Sequence, residues 1–406
     1  MKKKVIIIGG GFAGISAAKG LKNSDFEILL IDKKNHHLFQ PLLYQVASAA
    51  LSPGDISVPL REVIGKYKNI KILLDEVISI DKINKQIICQ SNQIHSYDYL
   101  ILAPGSRPNY FGNSEWRGFA PGLKTLEDAV HIRNKLLKSF EDCENQKKDS
   151  LNIVIIGAGP TGVELAGAFA EIAYDIMLKE FKNFDSKKAK IYLLEGGPDV
   201  LPSYKGYLSK KAKKYIEDLG VIVLNDHRVE DISSNIVRAG NLEIESQNII
   251  WAAGNKASNL MNMLDSKQDP MGRVIVESNL SLKDHPEVFI IGDSAHVQGE
   301  KHSPLPPLAP VASQQGRHVA KQLKMNKTIS FKYFDKGNMA TIGNFKAVME
   351  FKNLKIAGFC AWISWCFIHI FFLIDFRNRA LVFMQWVFSF IFRSKGVRII
   401  TDVRNE

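Results

Sequence analysis

One segment occurs twice in the chain and limits its folds more than anything else. "VIIIGGGFAGISAAKGL" begins at Val5, and "LNIVIIGAGPTGVELAG" begins at Leu151. Each is an apolar run, then glycines spaced GxGxxG, then a run with helical character. A lone GxGxxG carries little weight, because glycines also serve ordinary turns. Here a strand enters each copy and a helix leaves it, which is the context the motif requires. The first glycine (Gly9, Gly157) makes the tight turn. The second (Gly11, Gly159) lets backbone approach a pyrophosphate, and the third (Gly14, Gly162) lets helix pack on strand.

The repetition extends beyond the turns. "FEILLIDKK" ends in Asp32 and "AKIYLLEGG" ends in Glu195, each acid placed to accept a ribose hydroxyl. "YDYLILAPGS" (97–106) is echoed by "QNIIWAAGN" (247–255). The same order twice predicts an α/β protein with two Rossmann-like dinucleotide-binding domains. Glu195 lies farther from its turn than the roughly 20 residues usual for such an acid. "AEIAYDIMLKEFKNFDSKK" accounts for the excess as an extended helix and loop. Gly196 and Gly197 follow Glu195, and no arginine does, so NADH is expected over NADPH. Asp293, in "GDSAHV", is read as a third contact to the first nucleotide. Glu164 has two readings: an acid of the helix N-terminus, or a group near the nicotinamide. His36 and His37 lack a second cluster of His, Cys or Glu; they read as loop histidines, and no metal is expected.

At 406 residues the chain has room for two or three cores. The expected divisions are a first nucleotide domain over 1–125, a connecting helix and linker over 126–150, and a second nucleotide domain over 151–265. A return segment of the first domain covers 266–330, and a C-terminal membrane-anchoring region covers 331–406. The net charge of +11 suggests an anionic partner. Aromatic and basic residues do not interleave as in nucleic-acid modules, so no nucleic acid is expected. The cysteines Cys89, Cys143, Cys360 and Cys366 form no CxxC and fit a reducing compartment. The start, "MKKKVIIIGGG", has too short an apolar run for a signal peptide and reads as a strand.

"IAGFCAWISWCFIHIFFLI" (356–374) holds no charge and as one helix would span roughly 28 Å, about a bilayer core. Lys352 and Lys355 precede it, while Arg377 and Arg379 follow, so positive charge favours neither side. The next apolar run, "ALVFMQWVFSFIF" (380–392), is too short to return. With Gln385, Ser389 and Arg393 spaced four apart, it reads as a helix lying with one face wet. A monotopic anchor is therefore expected over a spanning helix.

"VIIIGGGFAG", "NHHLFQPLLYQVA", "LILAPGSRPNYFG", "GAGPTGVELAG", "VFIIGDSAHV", "APVASQQG" and "YFDKGNMATIG" together resemble the bacterial type II NADH dehydrogenases, in order over nearly the whole chain. The resemblance implies a non-proton-pumping NADH:quinone oxidoreductase on the cytoplasmic face of the bacterial inner membrane. It implies FAD at the first turn, held by Gly9, Gly11, Phe12, Ala13, Gly14, Asp32, Lys33, Gln40, Ala103, Gly105, Asp293, Ala309, Pro310 and Val311. It implies NADH at the second, held by Gly157, Gly159, Thr161, Gly162, Glu164, Glu195, Ala253 and Gly254. The 39–45 loop, with Pro41, and the Pro-rich turn at 306–312 would flank the flavin ring. Glu164, Gln314 and Pro41 are the expected catalytic residues. Two departures stand out. Many relatives carry Ala-Gln where this chain has Ala309-Pro310, which leaves Gln314 and Gln315 as substitutes. Some carry a second acid where this chain has Ala168. NADH, a membrane quinone and the bilayer surface are the expected partners; relatives often pair through the C-terminal region, so a homodimer stays open. Two rival readings remain. One is a sulfide- or ferredoxin-type FAD/NAD oxidoreductase, although no cysteine lies between Asp32 and Asn69. The other is a flavoprotein that senses NADH without turnover.

Overall fold

The computed structural model describes residues 2–148, 150–204, 206–299, 303–392 and 395–401; Arg393 lies outside them. The chain divides into two compact units. One comprises residues 1–38, 57–107 and 255–336; the other comprises 39–56, 108–254 and 337–406.

In the first unit, the apolar run Lys4–Ile8 is the inner strand of a sheet, with Tyr99–Leu102 on one side and Glu27–Asp32 on the other, all parallel. Ile70–Leu74 extends that sheet beyond Glu27–Asp32, and His285–Ile290 extends it beyond Tyr99–Leu102. Val5, Ile7, Leu30 and Ile101 are wholly buried, as strands covered on both faces must be. The helix Phe12–Leu21 packs on the helix Ala309–Met325, and small residues set the approach. A Cβ on Gly20 would stand 2.5 Å from Ala320 Cβ, and one on Gly316 would stand 2.2 Å from the Ala13 carbonyl oxygen. This helix pair returns the segment 309–325 to the first glycine turn.

The second unit repeats the plan. Asn152–Ile156 lies between Asn248–Trp251 and Lys190–Leu194, with Ile222–Leu224 outside, and every pair is parallel. The helix Leu126–Glu144 opens on a capping box. Thr125 Oγ accepts from the Asp128 N–H at 3.1 Å, and Asp128 accepts from the Thr125 N–H at 2.9 Å. The helix Pro160–Glu171 runs into a π-helical turn at Ile172–Met177, which forms part of the length separating the second turn from its acid.

The C-terminal region differs from the single 28 Å helix that its uncharged run suggests. Asn338–Thr341, Ala347–Phe351 and Leu354–Ala357 form an antiparallel sheet. Gly358, at φ 93°, turns the chain into a helix that covers only Phe359–Phe372. That is roughly 21 Å long, short of a bilayer core of about 30 Å. Among the described residues, no helix is long and apolar enough to cross a membrane. A second helix, Phe376–Phe392, lies beside the first, with Trp386 stacked on Trp365 at 5.3 Å. Such a pair adds about 0.5–1.5 kcal/mol beyond its buried area. Residues 39–56, which the sequence suggests belong to the first nucleotide domain, pack in the second unit against these helices. Trp386 Nε1 donates to Gln45 Oε1 at 2.8 Å, and Asn378 donates to the Gly54 carbonyl at 3.2 Å.

Candidate functional sites at the two glycine turns

In the first unit, strand Lys4–Ile8 ends at Gly9, whose φ of 103° makes the turn and whose N–H donates to the Ile31 carbonyl at 2.8 Å. A Cβ on Gly9 would stand 2.2 Å from the Ala103 oxygen, and one on Gly14 would stand 1.8 Å from the Gly9 oxygen. Both glycines are therefore compelled by packing. At Gly11 a Cβ would meet nothing within 4 Å, so no packing contact accounts for glycine there. Phe12 and Ala13 form the helix's first turn.

Asp32 closes this turn. Its carboxylate accepts from the Gly10 N–H, and from the Lys34 N–H at 2.7 Å. Burial pushes its pKa up, and those two N–H groups pull it back. Each oxygen keeps a lone pair for a sugar hydroxyl. Lys33 points away and pairs with Glu76 at 3.0 Å on the surface. The histidines lie in a short strand, His36–Leu38, paired with Ser57–Pro59, where a loop was expected. His37 is 2% exposed; it bonds the Gly10 carbonyl at 3.1 Å and meets Phe12 edge-on. Burial pushes it down to about 4, so it is neutral at physiological pH.

Two more turns of the first unit lie at the carboxyl ends of its parallel strands. Ala103 donates to the Ile8 carbonyl at 2.8 Å, and Gly105 accepts from the Ser294 hydroxyl at 2.7 Å. Asp293 accepts from the Ser106 hydroxyl at 2.6 Å. A Cβ on Gly292 would lie 3.3 Å from Ala13 Cβ, and the Gly292 N–H donates to buried Gln315 at 2.6 Å. Ala309, Pro310 and Val311 begin the helix that carries Gln315. Gln314, on the adjoining face, bonds both polar groups of the Phe334 backbone at 2.9 and 3.0 Å. Its amide thus holds the 331–334 segment, and Gln315 has the place beside the first turn.

The second unit reproduces the first turn almost atom for atom. Gly157 has φ 101° and donates to the Leu194 carbonyl at 2.7 Å. A Cβ on Gly162 would stand 1.9 Å from the Gly157 oxygen, and one on Gly159 would meet nothing within 4 Å. Glu195 accepts from the Ala158 N–H at 2.8 Å and from the Gly197 N–H at 3.0 Å. Ala253 backs Gly157, with its Cα 2.5 Å from a Cβ built there, and Gly254 lies against Phe111. Thr161 is exposed in the helix's first turn.

The same helix carries two acids that face protein. Glu164 is half-buried, and desolvation pushes it up to about 8 against the opposing Thr341 N–H. Buried Tyr44 lies within its electrostatic reach, and its hydroxyl accepts from Gln45 at 2.9 Å. Gln40 reaches the Lys124 carbonyl at 3.4 Å, and Pro41 opens the short turn before Tyr44; both fall in this unit. Two turns along the helix from Glu164, Glu171 pairs with Lys395 at 3.4 Å and also accepts from the Asn344 N–H. Lys395, 5% exposed, donates to the Ala168 carbonyl at 2.8 Å. Burial pushes Glu171 up, and Lys395 pulls it back. Sequence reading missed this pair. The seven-residue spacing from Glu164 puts Glu171 on the same helix face, but nothing local marks Lys395.

Comparison with known proteins agrees over the whole length. Residues 3–316 match the pyridine nucleotide-disulphide oxidoreductase family, and residues 336–394 match the NDH2 C-terminal domain. The type II NADH:quinone oxidoreductase Ndh of Mycobacterium tuberculosis is 36% identical, over 99% of this chain and 91% of its own. That of Staphylococcus haemolyticus is 30% identical, over 84% and 88%. The structure of NDH2 from Plasmodium falciparum in complex with NADH has the same fold, with TM-score 0.90 and 21% identity over 99% of this chain and 100% of that one. The sulfide:quinone oxidoreductase of Aquifex aeolicus is less similar in fold, with TM-score 0.76 at 20% identity over 97% and 96% of the two chains. The chain belongs to the pyridine nucleotide-disulphide oxidoreductase family and, within it, to the type II NADH:quinone oxidoreductases.

Proposed function

We propose that this chain oxidises NADH at the second glycine turn and reduces a membrane quinone, with FAD resident at the first turn. One observation carries this reading: two turns of the same geometry, each closed by its own acid, each with an open position at its middle glycine. The residues of the first unit fit FAD. Gly11 leaves room where a phosphate would approach, the helix N-terminus offers N–H groups, and Asp32 keeps lone pairs for a ribose. Asp293, Gly105 and the start of the Ala309–Met325 helix would take the rest of the cofactor. Bound FAD supplies the two-electron acceptor that links the pyridine nucleotide to the quinone.

The chain's own residues do the positioning. Glu195, fixed by two backbone N–H groups, receives the adenosine ribose of NADH. Gly159 lets the backbone close on the pyrophosphate, with Gly157 and Gly162 holding strand and helix together. Glu164, protonated up to a pH of about 8, presents a neutral donor near the nicotinamide and avoids a repelling charge. Gln315 holds the Gly292 turn, Gln314 holds the Phe334 backbone, and Pro41 stiffens the entry to Tyr44. The reaction runs without proton pumping, as the family resemblance implies.

The tail helices supply the membrane surface. Phe359, Ile363, Phe367 and Phe371 recur every four residues on one helix and are 49–71% exposed. On the next helix Phe383, Met384, Phe388 and Ile391 are 52–67% exposed. This favours monotopic attachment, with Lys352, Lys355, Arg377 and Arg379 near anionic headgroups on the cytoplasmic face.

Two experiments test the reading. In stopped flow, NADH should bleach the yellow protein and a soluble quinone should restore the colour. NADH binding without bleaching would identify a sensor instead. Cutting the chain at Leu354 would break a sheet, so the anchor is better tested by serine at Phe367, Phe371 and Phe388. That variant should stop floating with anionic vesicles yet still reduce ferricyanide. Unchanged flotation would remove the helices from the anchor role.

A further inference from the structure

Resting on the assignment of NADH to the second turn, we propose that Arg228 is a specificity-determining residue paired in function with Glu195. Glu195 keeps NADPH out of a site that already holds a cation for its 2′-phosphate. The linear sequence conceals this, because no arginine follows Glu195.

Three backbone bonds stitch the chain around Leu224–His227 to the turn after Glu195. The Glu195 N–H donates to the Leu224 carbonyl at 2.9 Å, His227 donates to the Glu195 carbonyl at 2.9 Å, and Asp226 donates to the Gly197 carbonyl at 3.0 Å. Asp226, at φ 58°, turns the chain so that Arg228 lies over Gly196. A Cβ built on Gly196 would stand 3.6 Å from Arg228 Cβ and 3.7 Å from its Cγ. The stem of Arg228 therefore borders the space that a side chain following the acid would enter. In a dinucleotide site, a nearby arginine accommodates the 2′-phosphate.

The guanidinium is available. Arg228 is exposed, and among the described residues no ion pair engages it. Glu195 forms no ion pair with it either; its carboxylate accepts instead from the Ala158 and Gly197 N–H groups. An open cavity of about 460 Å³ adjoins the stem, lined by Asp226, His227, Arg228 and Glu230 with Gly240 and Asn241 of the next hairpin. A phosphate on the ribose 2′-oxygen would thus meet the Glu195 carboxylate, with the arginine close by. In the native chain the carboxylate's repulsion decides, and the hydroxyl of NADH fits where the phosphate does not.

Steady-state kinetics with NADH and NADPH on the flavin-loaded protein test this, using Glu195→Gln, Arg228→Gln and the double variant. Calorimetry with 5′-AMP and 2′,5′-ADP gives a readout independent of turnover. Glu195→Gln should lower the KM for NADPH and the Kd for 2′,5′-ADP by about tenfold or more. In the Arg228→Gln background the same change should gain less than about twofold, and Arg228→Lys should restore part of the gain. An equal gain in both backgrounds, or none in either, overturns the role of Arg228. The underlying assignment fails separately: if Glu195→Gln leaves KM for NADH and affinity for 5′-AMP unchanged, Glu195 is not at the ribose.

Discussion

The two glycine turns share their backbone geometry and differ in what is packed behind the helix. In the first unit the helix presents Ala13, Ala17 and Gly20 to a second helix, and no acid lies on it. In the second unit the helix meets the C-terminal region, with a Cβ on Gly167 standing 2.6 Å from Gly343 N, and it carries Glu164 and Glu171 among buried groups. A dinucleotide cradle needs one helix end. The other helix faces are then free to specialise: one for close apolar packing on a second helix, the other for a half-buried carboxyl and a buried ion pair.

The largest expected effect separates resident from visitor. Neither Gly11→Val nor Gly159→Val should strain the chain, since neither Cβ would meet a neighbour. Gly11→Val should purify folded and colourless and lose at least about 100-fold in quinone reduction. Gly159→Val should stay yellow and lose its efficiency through the KM for NADH. If both lose colour alike, the division of roles between the turns is wrong.

The buried pair comes next. Lys395→Met leaves the buried Glu171 carboxyl without its cation and should cost about 3–5 kcal/mol in urea unfolding of the second unit. Adding Glu171→Gln should recover much of that loss. A single substitution that proves neutral would mean the pair does not hold the tail to the helix.

The pH limbs have opposite signs in the two units. Glu164 is raised from 4.5 to about 8, so the native state binds more protons than the unfolded chain between those values. Its contribution is fully present below pH 4.5 and is lost as pH rises through about 8. His37 is lowered from 6.5 to about 4, so its contribution is present above pH 6.5 and is lost as pH falls through about 4. Urea midpoints from pH 4 to 9 should show Glu164→Gln flattening the alkaline limb and His37→Phe flattening the acid limb. Exchange of the two effects would reverse the assignments.

The smallest effect lies at the residues following Asp32 and Glu195, the acids that close the two turns. Lys33→Ala removes an exposed pair worth about 0–1 kcal/mol. Gly196→Ala should change stability by no more than about 0.5 kcal/mol, since its Cβ would only touch the Arg228 stem. A loss of 2 kcal/mol in thermal or urea unfolding at either position would show a tighter site than the geometry describes.

The turns, their acids and the doubled α/β plan were legible because each depends on short-range spacing. A glycine compelled by a carbonyl 1.8 or 1.9 Å away leaves its mark in three neighbouring letters. Other parts were not legible. His37 reads as a loop residue until its strand pairs with Ser57–Pro59, across a gap the sequence does not mark. The run 356–374 reads as one helix because apolar composition alone cannot distinguish the strand Leu354–Ala357 from the helix after Gly358. Gln314 and Gln315 are adjacent letters, yet one bonds Phe334 and the other Gly292, because successive helix positions face different neighbours.

The sequence by itself determined the two glycine turns and the acid that closes each, since local backbone geometry and period fix those. Tertiary structure alone decided which distant groups meet. It brought Lys395 to Glu171, Trp386 to Gln45 and Arg228 to Gly196, contacts between residues far apart in the chain. The physical reason is that burial and charge pairing act through space. A carboxyl's proton affinity or a cofactor's fit depends on whatever the fold places within a few ångströms, and no local pattern in the sequence encodes that.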